Sequence, residues 1–234
     1  MGFHSIRLIT FDCYGTLIDW ERGLLGVLRP IFSRNSHGVQ DAQLLEHYAE
    51  AEATLEAGTY LPYREVLARA VQRMAESLNI QVSAEQAGSL AESVRGWEPF
   101  PDTVAALARL SKRFRLGIIS NIDDDLFALT RPKLEADFAL VVTAQQVGSY
   151  KPSFANFHEA LRRSGLKKEE VLHAAQSVYH DVVPATRLGL QSVWVNRPSA
   201  RPGTGVAKPA EGKPSATVQS LGELAGLLLG QGDG

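Results

Sequence analysis

Residues 6–12, IRLITFD, gather branched apolar side chains into one short run that ends on a carboxylate. Such an unbroken run predicts a strand of a parallel sheet buried on both faces, with its carboxyl end opening onto the polar turn Tyr14-Gly15-Thr16. From about residue 20 to 97 the pattern changes to helical spacing. Trp20 to Phe32 forms one such segment. Asp41 to Glu56 places Leu44, Leu45, Tyr48 and Leu55 on roughly one face, and Pro62 to Leu78 does the same with Val66, Leu67, Ala70, Val71, Met74 and Leu78. Ser83-Ala84-Glu85-Gln86 has the form of a capping box and starts a further helix to about Arg95. No strand pattern interrupts this interval.

After Pro99-Phe100-Pro101 helices and strands alternate. Helices are predicted over Asp102–Lys112, from about Asp124, over Ser153–Ser164 and over Val182–Leu188; strands over Arg115–Ser120, Ala139–Thr143, Val171–Ala175 and Gln191–Asn196. Pro198 to Pro214 reads as a loop rich in Pro, Gly and Lys, and Thr217 to Leu229 as a last strand and closing helix. Alternation of this kind predicts an α/β fold, a doubly wound parallel sheet with helices on both faces. One strand cannot make a sheet, so the first must pair with those beyond residue 114. The expected organisation is a core of residues 1–19 and 98–234 with an all-helical cap, 20–97, inserted after the first strand. Open α/β sheets bind ligands at the carboxyl ends of their strands. A cap there would exclude water and select substrate.

At 234 residues the chain is long enough to bury a full core, and a net charge of −2 leaves no basic face for nucleic acid. The single cysteine, Cys13, excludes an intramolecular disulfide and fits a reducing compartment. No apolar run is long enough to span a bilayer, and Met1 to Arg7 is too polar for a signal peptide. The expectation is a cytoplasmic protein with a small-molecule substrate and neither nucleic acid nor membrane as partner.

Four polar clusters fall at or just beyond predicted strand ends: Asp12 with Thr16, Ser120 with Asn121, Lys151, and Asp181. Each alone reads equally as a turn, a cap or a solvated loop; their convergence on one sheet edge is what points to chemistry. Strand alternation turns Cys13 away from Asp12, into the core. Asp123-Asp124-Asp125 resembles a metal cluster, but three carboxylates opening a helix also suit its dipole. Gly212-Lys213 lacks the glycine spacing of a nucleotide loop and is followed by Pro214.

Phe11-Asp12-Cys13-Tyr14-Gly15-Thr16-Leu17-Ile18-Asp19 resembles the first motif of the haloacid dehalogenase superfamily. Ile118-Ile119-Ser120-Asn121 is similar to its second motif, Tyr150-Lys151-Pro152 to its third, and Asp181 to its fourth. The resemblance runs in order through nearly the whole chain and implies a Rossmann-like core with the cap where this family carries one. Phosphatases of the family place a second aspartate, the general acid, two residues after the nucleophile. Here that position is Tyr14, a poor proton donor, as in the L-2-haloacid dehalogenase (type II) subgroup. A halide leaves without a proton.

The resemblance implies that Asp12 attacks a saturated carbon and expels halide, and that water then hydrolyses the aspartyl ester to a 2-hydroxy acid. Lys151 would hold the nucleophile ionised and Thr16 would orient it. Asp181 would pair with Lys151 or position water. Tyr14, Ser120, Asn121, Ser177 and His180 would form the substrate-binding wall, with Ser120 and Asn121 on the substrate carboxylate. No metal or other cofactor is expected, because Ser177 stands where magnesium-dependent members carry a further acid. Magnesium belongs only to the alternative reading as a phosphatase; a non-catalytic protein of the same fold is the third reading. A homodimer is inferred from the subgroup alone.

Four departures from the subgroup stand out. Leu44 to Ala57 contains no arginine, leaving Arg34 or Arg64 as substitutes; Phe157 replaces a tyrosine; Gln176-Ser177-Val178 replaces a polar Ser-Ser-Asn segment; and His180 has no counterpart.

Overall fold

The computed structural model describes residues 2–32, 39–199 and 210–230. Six strands form one sheet: β1 (Leu8–Phe11), β2 (Arg115–Ser120), β3 (Leu140–Thr143), β4 (Val171–Ala175), β5 (Gln191–Val195) and β6 (Ala216–Val218). Their order is β3-β2-β1-β4-β5-β6 and every pairing is parallel. The strand with the apolar run therefore lies in the middle, paired with two strands that follow it by more than a hundred positions. The fold is the doubly wound, Rossmann-like α/β architecture, and the strand order reverses at β1, where such sheets bind ligands.

Alternation along β1 divides the core. Leu8 packs with Phe157, Ala160 and Ala185, on the side of α8 (Phe154–Ser164) and α9 (Val183–Leu188). Ile9 and Phe11 face the other layer, which includes Leu107 of α5 (Thr103–Leu110), Leu126 of α6 (Asp124–Thr130) and Leu224 of α10 (Leu221–Leu229). Short α7 (Ala144–Val147) precedes the loop that carries Lys151.

Between β1 and α5 run four helices, α1 (Trp20–Phe32), α2 (Asp41–Glu56), α3 (Tyr63–Ser77) and α4 (Ala84–Ser93), the last continuing as a 3-10 turn over Val94–Gly96. The Ser83 capping box forms: its hydroxyl accepts from Gln86 N–H at 3.1 Å and Gln86 Oε1 accepts from Ser83 N–H at 2.8 Å. Leu24, Leu44 and Val66 belong to the same apolar cluster as Phe11 and Ile18, so the helical block and the sheet share one core. The chain enters and leaves the block side by side. Asp19 N–H donates to Glu98 O at 2.9 Å, and Phe100 N–H to Leu17 O at 3.0 Å. Among the described residues no helix is long and apolar enough to cross a membrane.

Asp123-Asp124-Asp125 is structural. Asp123 accepts from the N–H groups of Tyr63 and Arg64, each at 2.9 Å, and so caps α3 from across the two layers. Asp124 accepts from Thr143 and Gln146, and Asp125 pairs with Arg64 at 2.8 Å. Arg64 also pairs with Glu92 at 3.0 Å. This corrects its suggested place as a substrate cation, since it is spent on the outside of the block. Arg34, the other suggestion, lies outside the described residues. Cys13 is fully buried in the apolar cluster beside Phe11.

Candidate active site

Asp12 follows β1 directly, and its N–H still bonds Ala174 O of β4 at 3.2 Å, so the sheet sets its position. Beyond it the chain folds back, Leu17 and Ile18 N–H donating to Cys13 O at 2.8 and 3.0 Å. Gly15 has φ +93°, and a Cβ there would come to 3.0 Å from Trp20 Nε1, so this turn requires glycine. The turn returns Thr16 beneath the carboxylate. Its hydroxyl donates to Asp12 Oδ2 at 2.8 Å and accepts from Gln176 N–H at 2.9 Å. Arg197 braces the loop from below, donating to Thr16 O at 3.0 and 3.2 Å while paired with Asp102 at 2.7 Å and lying 4.2 Å over the Phe100 ring.

Lys151 has all three ammonium protons engaged, on Asp12 Oδ1 at 2.9 Å, Asp181 Oδ1 at 2.7 Å and Ile119 O at 2.9 Å. Its backbone is held by Asn121: Oδ1 accepts from Lys151 N–H at 2.7 Å and Nδ2 donates to Lys151 O at 3.1 Å. Asp181 sits in a single π-helical turn, Val178–Val182, which Ser177 caps by accepting from His180 N–H at 3.0 Å. His173 Nε2 lies 2.8 Å from Asp181 Oδ1, and its Nδ1 lies 2.9 Å from Thr10 Oγ1, its register partner on β1. A buried polar chain thus runs Asp12–Lys151–Asp181–His173–Thr10.

Electrostatics separates the two aspartates. Burial pushes Asp12 above the usual carboxylate range, and the Asp181 charge adds to this while Lys151 and Thr16 oppose it. Burial alone would raise Asp181 too, but Lys151 and His173 outweigh it and hold it at about 2. Burial disfavours the Lys151 ammonium, yet the two carboxylates more than compensate and raise its pKa. Asp181 is therefore the fixed negative charge of the group, and Asp12 the one closer to a proton.

The helical block covers the site and leaves a narrow pocket with about 30 Å³ of free space, lined by Asp12, Tyr14, Ser120, Asn121, Lys151, Ser177, His180 and Asp181 from the core, with Gln176 beside them. Every predicted site residue except Thr16 thus reaches the wall, and Thr16 acts through Asp12. From the block come Trp20, Glu52, Glu56 and Tyr63. Tyr14 OH is bonded to Thr130 Oγ1 at 2.8 Å with its ring edge-on to Trp97, and burial pushes its pKa well up. It is not a proton donor in waiting.

Asn121 needs a correction. Its amide hydrogens go to Lys151 O and to Glu56 Oε1, both at 3.1 Å, so it holds the wall together and has no donor left for a substrate carboxylate. Ser120 Oγ, by contrast, is buried without a hydrogen-bond partner, as are Glu56 Oε2, His180 Nε2 and Asp181 Oδ2. His180 Nδ1 lies 3.2 Å from Ser177 Oγ, and Nε2 faces Glu56 Oε2 at 3.4 Å; burial would lower its pKa, but Glu56 raises it. Glu52 Oε1 accepts from Tyr63 OH at 2.7 Å and Tyr48 OH at 2.8 Å, and burial together with the Glu56 charge pushes its pKa up to about 7.

Glu52 and Glu56 escaped the sequence reading although a signal existed. They lie at i+4 and i+8 from Tyr48, continuing the apolar face of α2 with carboxyl groups. His173 left no such mark inside an otherwise apolar strand. Phe157 packs edge-on against it at 5.2 Å, well below the pocket.

Residues 6–182 match the haloacid dehalogenase-like hydrolase family, and the chain belongs to that family. Its relatives point in two directions. It is 24% identical to an (S)-2-haloacid dehalogenase of Pseudomonas fluorescens, over 96% of this chain and 97% of that one. It is 39% identical to a glyceraldehyde 3-phosphate phosphatase of Methanothermobacter thermautotrophicus, over only 42% of this chain and 45% of the phosphatase. The solved L-2-haloacid dehalogenase from Xanthobacter autotrophicus with chloropropionic acid covalently bound superposes with a TM-score of 0.79 at 19% identity, covering 97% of this chain and 99% of that one. At that identity the likeness shows the fold.

Proposed function

We propose that this hydrolase displaces halide from the carbon beside a carbonyl group, in a small 2-halo compound, with Asp12 as nucleophile. The observation that carries this reading is Tyr14, a phenol bonded to Thr130 and made a weaker acid by burial, where a phosphatase needs a carboxylic acid to protonate an alcohol. Halide leaves with the bonding pair and needs no such acid. An Asp12 oxygen forms the new bond to carbon, which opens the carbon–halogen bond. Thr16 and Lys151 hold the carboxylate in place for that attack. Water then adds to the Asp12 ester carbonyl, and the alcohol departs with a proton while the carboxylate is restored. Asp181 Oδ2, buried without a hydrogen-bond partner in the pocket wall, would hold that water.

The donor set does not suit magnesium, which wants near-octahedral oxygen ligands. Asp12 and Asp181 each give Oδ1 to the same lysine, and Asp12 gives Oδ2 to Thr16. Among the described residues no group of three metal-binding side chains converges. No step here passes through a metal.

The partial match to a phosphatase is the ground for the competing reading. Release of halide and of phosphate, each with chelator and with magnesium, separates the two. Chelator-resistant halide release, lost in Asp12→Asn, is expected. Single turnover in ¹⁸O-water should label the Asp12 carboxylate and leave the alcohol unlabelled. Magnesium-dependent phosphate release without halide release overturns the proposal.

A further inference from the structure

The pocket is acidic where a halocarboxylate would need a cation. Four carboxyl groups line it, Asp12, Asp181, Glu52 and Glu56, against Lys151 and His180. Lys151 has no proton left to offer, and His180 already faces Glu56. No arginine lines the pocket among the described residues. A substrate carboxylate would enter a desolvated space beside two further carboxyl groups, with the Ser120 hydroxyl as a donor but no uncommitted cation to meet its charge.

The unpaired atoms describe a different guest. Glu56 is fixed by Asn121 on Oε1, while Oε2, buried and without a hydrogen bond, faces His180 Nε2 at 3.4 Å and keeps lone pairs free to accept. Its side chain is only 5% exposed. Ser120 Oγ is likewise unpartnered and 1% exposed, and it supplies a donor. An acceptor from the helical block and a donor from the core, both lining this pocket, complement a primary amide, which offers an N–H and a carbonyl oxygen. Resting on the reading of Asp12 as nucleophile at a carbon–halogen bond, we propose that the substrate is a neutral 2-halocarboxamide. Glu56 receives its N–H, Glu52 reinforces that preference from behind, and the Ser120 hydroxyl donates to its carbonyl.

An amide keeps the carbonyl beside the reacting carbon, so displacement remains activated. The atoms balance without a co-reactant. Halocarboxamide and water give hydroxycarboxamide, halide and a proton. The carbon–halogen bond breaks heterolytically, and the new hydroxyl oxygen comes from Asp12, which is replenished from water. At neutral pH the partly ionised Glu52 makes the pocket more hospitable to a donor and less so to an anion.

The test compares chloride release from 2-chloropropionamide and 2-chloropropionate by the whole chain at pH 8 with chelator, using Asp12→Asn to subtract background alkylation. The amide is expected to exceed the acid in kcat/KM by about tenfold or more, and Glu56→Gln to reduce that ratio by about tenfold by relieving repulsion of the acid. The wild-type ratio decides even where Glu56→Gln fails to fold. Acid turned over as fast as amide, or a ratio unmoved by a folded Glu56→Gln, overturns this inference and leaves Asp12 dehalogenation standing. Chloride from neither substrate overturns both.

Discussion

Lys151 Nζ lies 2.7 Å from Asp181 Oδ1 with both side chains 1% exposed, and the same ammonium reaches Asp12 at 2.9 Å. One lysine thus keeps two buried carboxylates compatible. Lys151→Met should lose about 3–5 kcal/mol of stability, because it strands two charges that cannot reach water. Adding Asp181→Asn should restore part of that loss in urea unfolding, yet halide release should stay absent. Recovery of activity in the double variant would show that the lysine has no part in orienting Asp12.

Thr16 links Asp12 to the β4 loop through one donated and one accepted hydrogen bond. Thr16→Val keeps the shape and removes both. A fall in kcat of about tenfold, equivalent to about 1.4 kcal/mol, is expected with KM little changed. Thr16→Ser should recover most of it.

Burial, aided by the Glu56 charge, pushes the Glu52 carboxyl up to about 7 in the folded chain, against an ordinary glutamate value of 4.5. The folded state therefore holds its proton more tightly than the unfolded state, and stability falls as pH rises from 4.5 through 7. Complete ionisation costs roughly 3 kcal/mol above that window. Glu52→Gln does not titrate, so its advantage over the parent in thermal unfolding should be largest at pH 8 and vanish below pH 4.5. An advantage independent of pH would mean that Glu52 titrates normally.

Asp123 caps α3 with two bonds from a buried position, whereas its neighbour Asp125 meets Arg64 at an exposed one. Asp123→Ala should cost about 1–2 kcal/mol, as for the loss of a good helix cap, and Arg64→Ala less than about 1 kcal/mol. Salt titration should weaken only the contribution of Arg64. Equal losses would mean that the cap is dispensable.

Periodicity carried most of the architecture into view. The apolar run at residues 6–12 needed partners on both sides, and only the later strands could supply them. The pocket wall was visible where residue type and strand end coincide, as at Asp12 and Ser120. Partnership was harder to read. Asn121 looks like a free donor until its amide is seen on Lys151 and Glu56. Arg64 looks like a free cation until Asp125 and Glu92 are found beside it. Spacing orders residues along one element; it does not say which side chain from another element will consume a donor. Glu52 and Glu56 were overlooked for the converse reason, since a glutamate on a helix is ordinarily solvated, and only the sheet beneath α2 makes these two part of a wall.

The two strands of chain that tie the helical block to the sheet run side by side, joined by hydrogen bonds between Asp19 and Glu98 and between Leu17 and Phe100. Because departure and return fall at neighbouring points, the block is a cassette: another helical segment with the same two ends could replace it without altering the order of any strand. Asp12, Lys151 and Asp181 would stay behind in such an exchange, and Glu52 and Glu56 would leave with the cassette. The pocket is thus assembled from two parts of the chain joined at one seam, the sheet edge that carries Asp12, Lys151 and Asp181 and the block that carries Glu52 and Glu56.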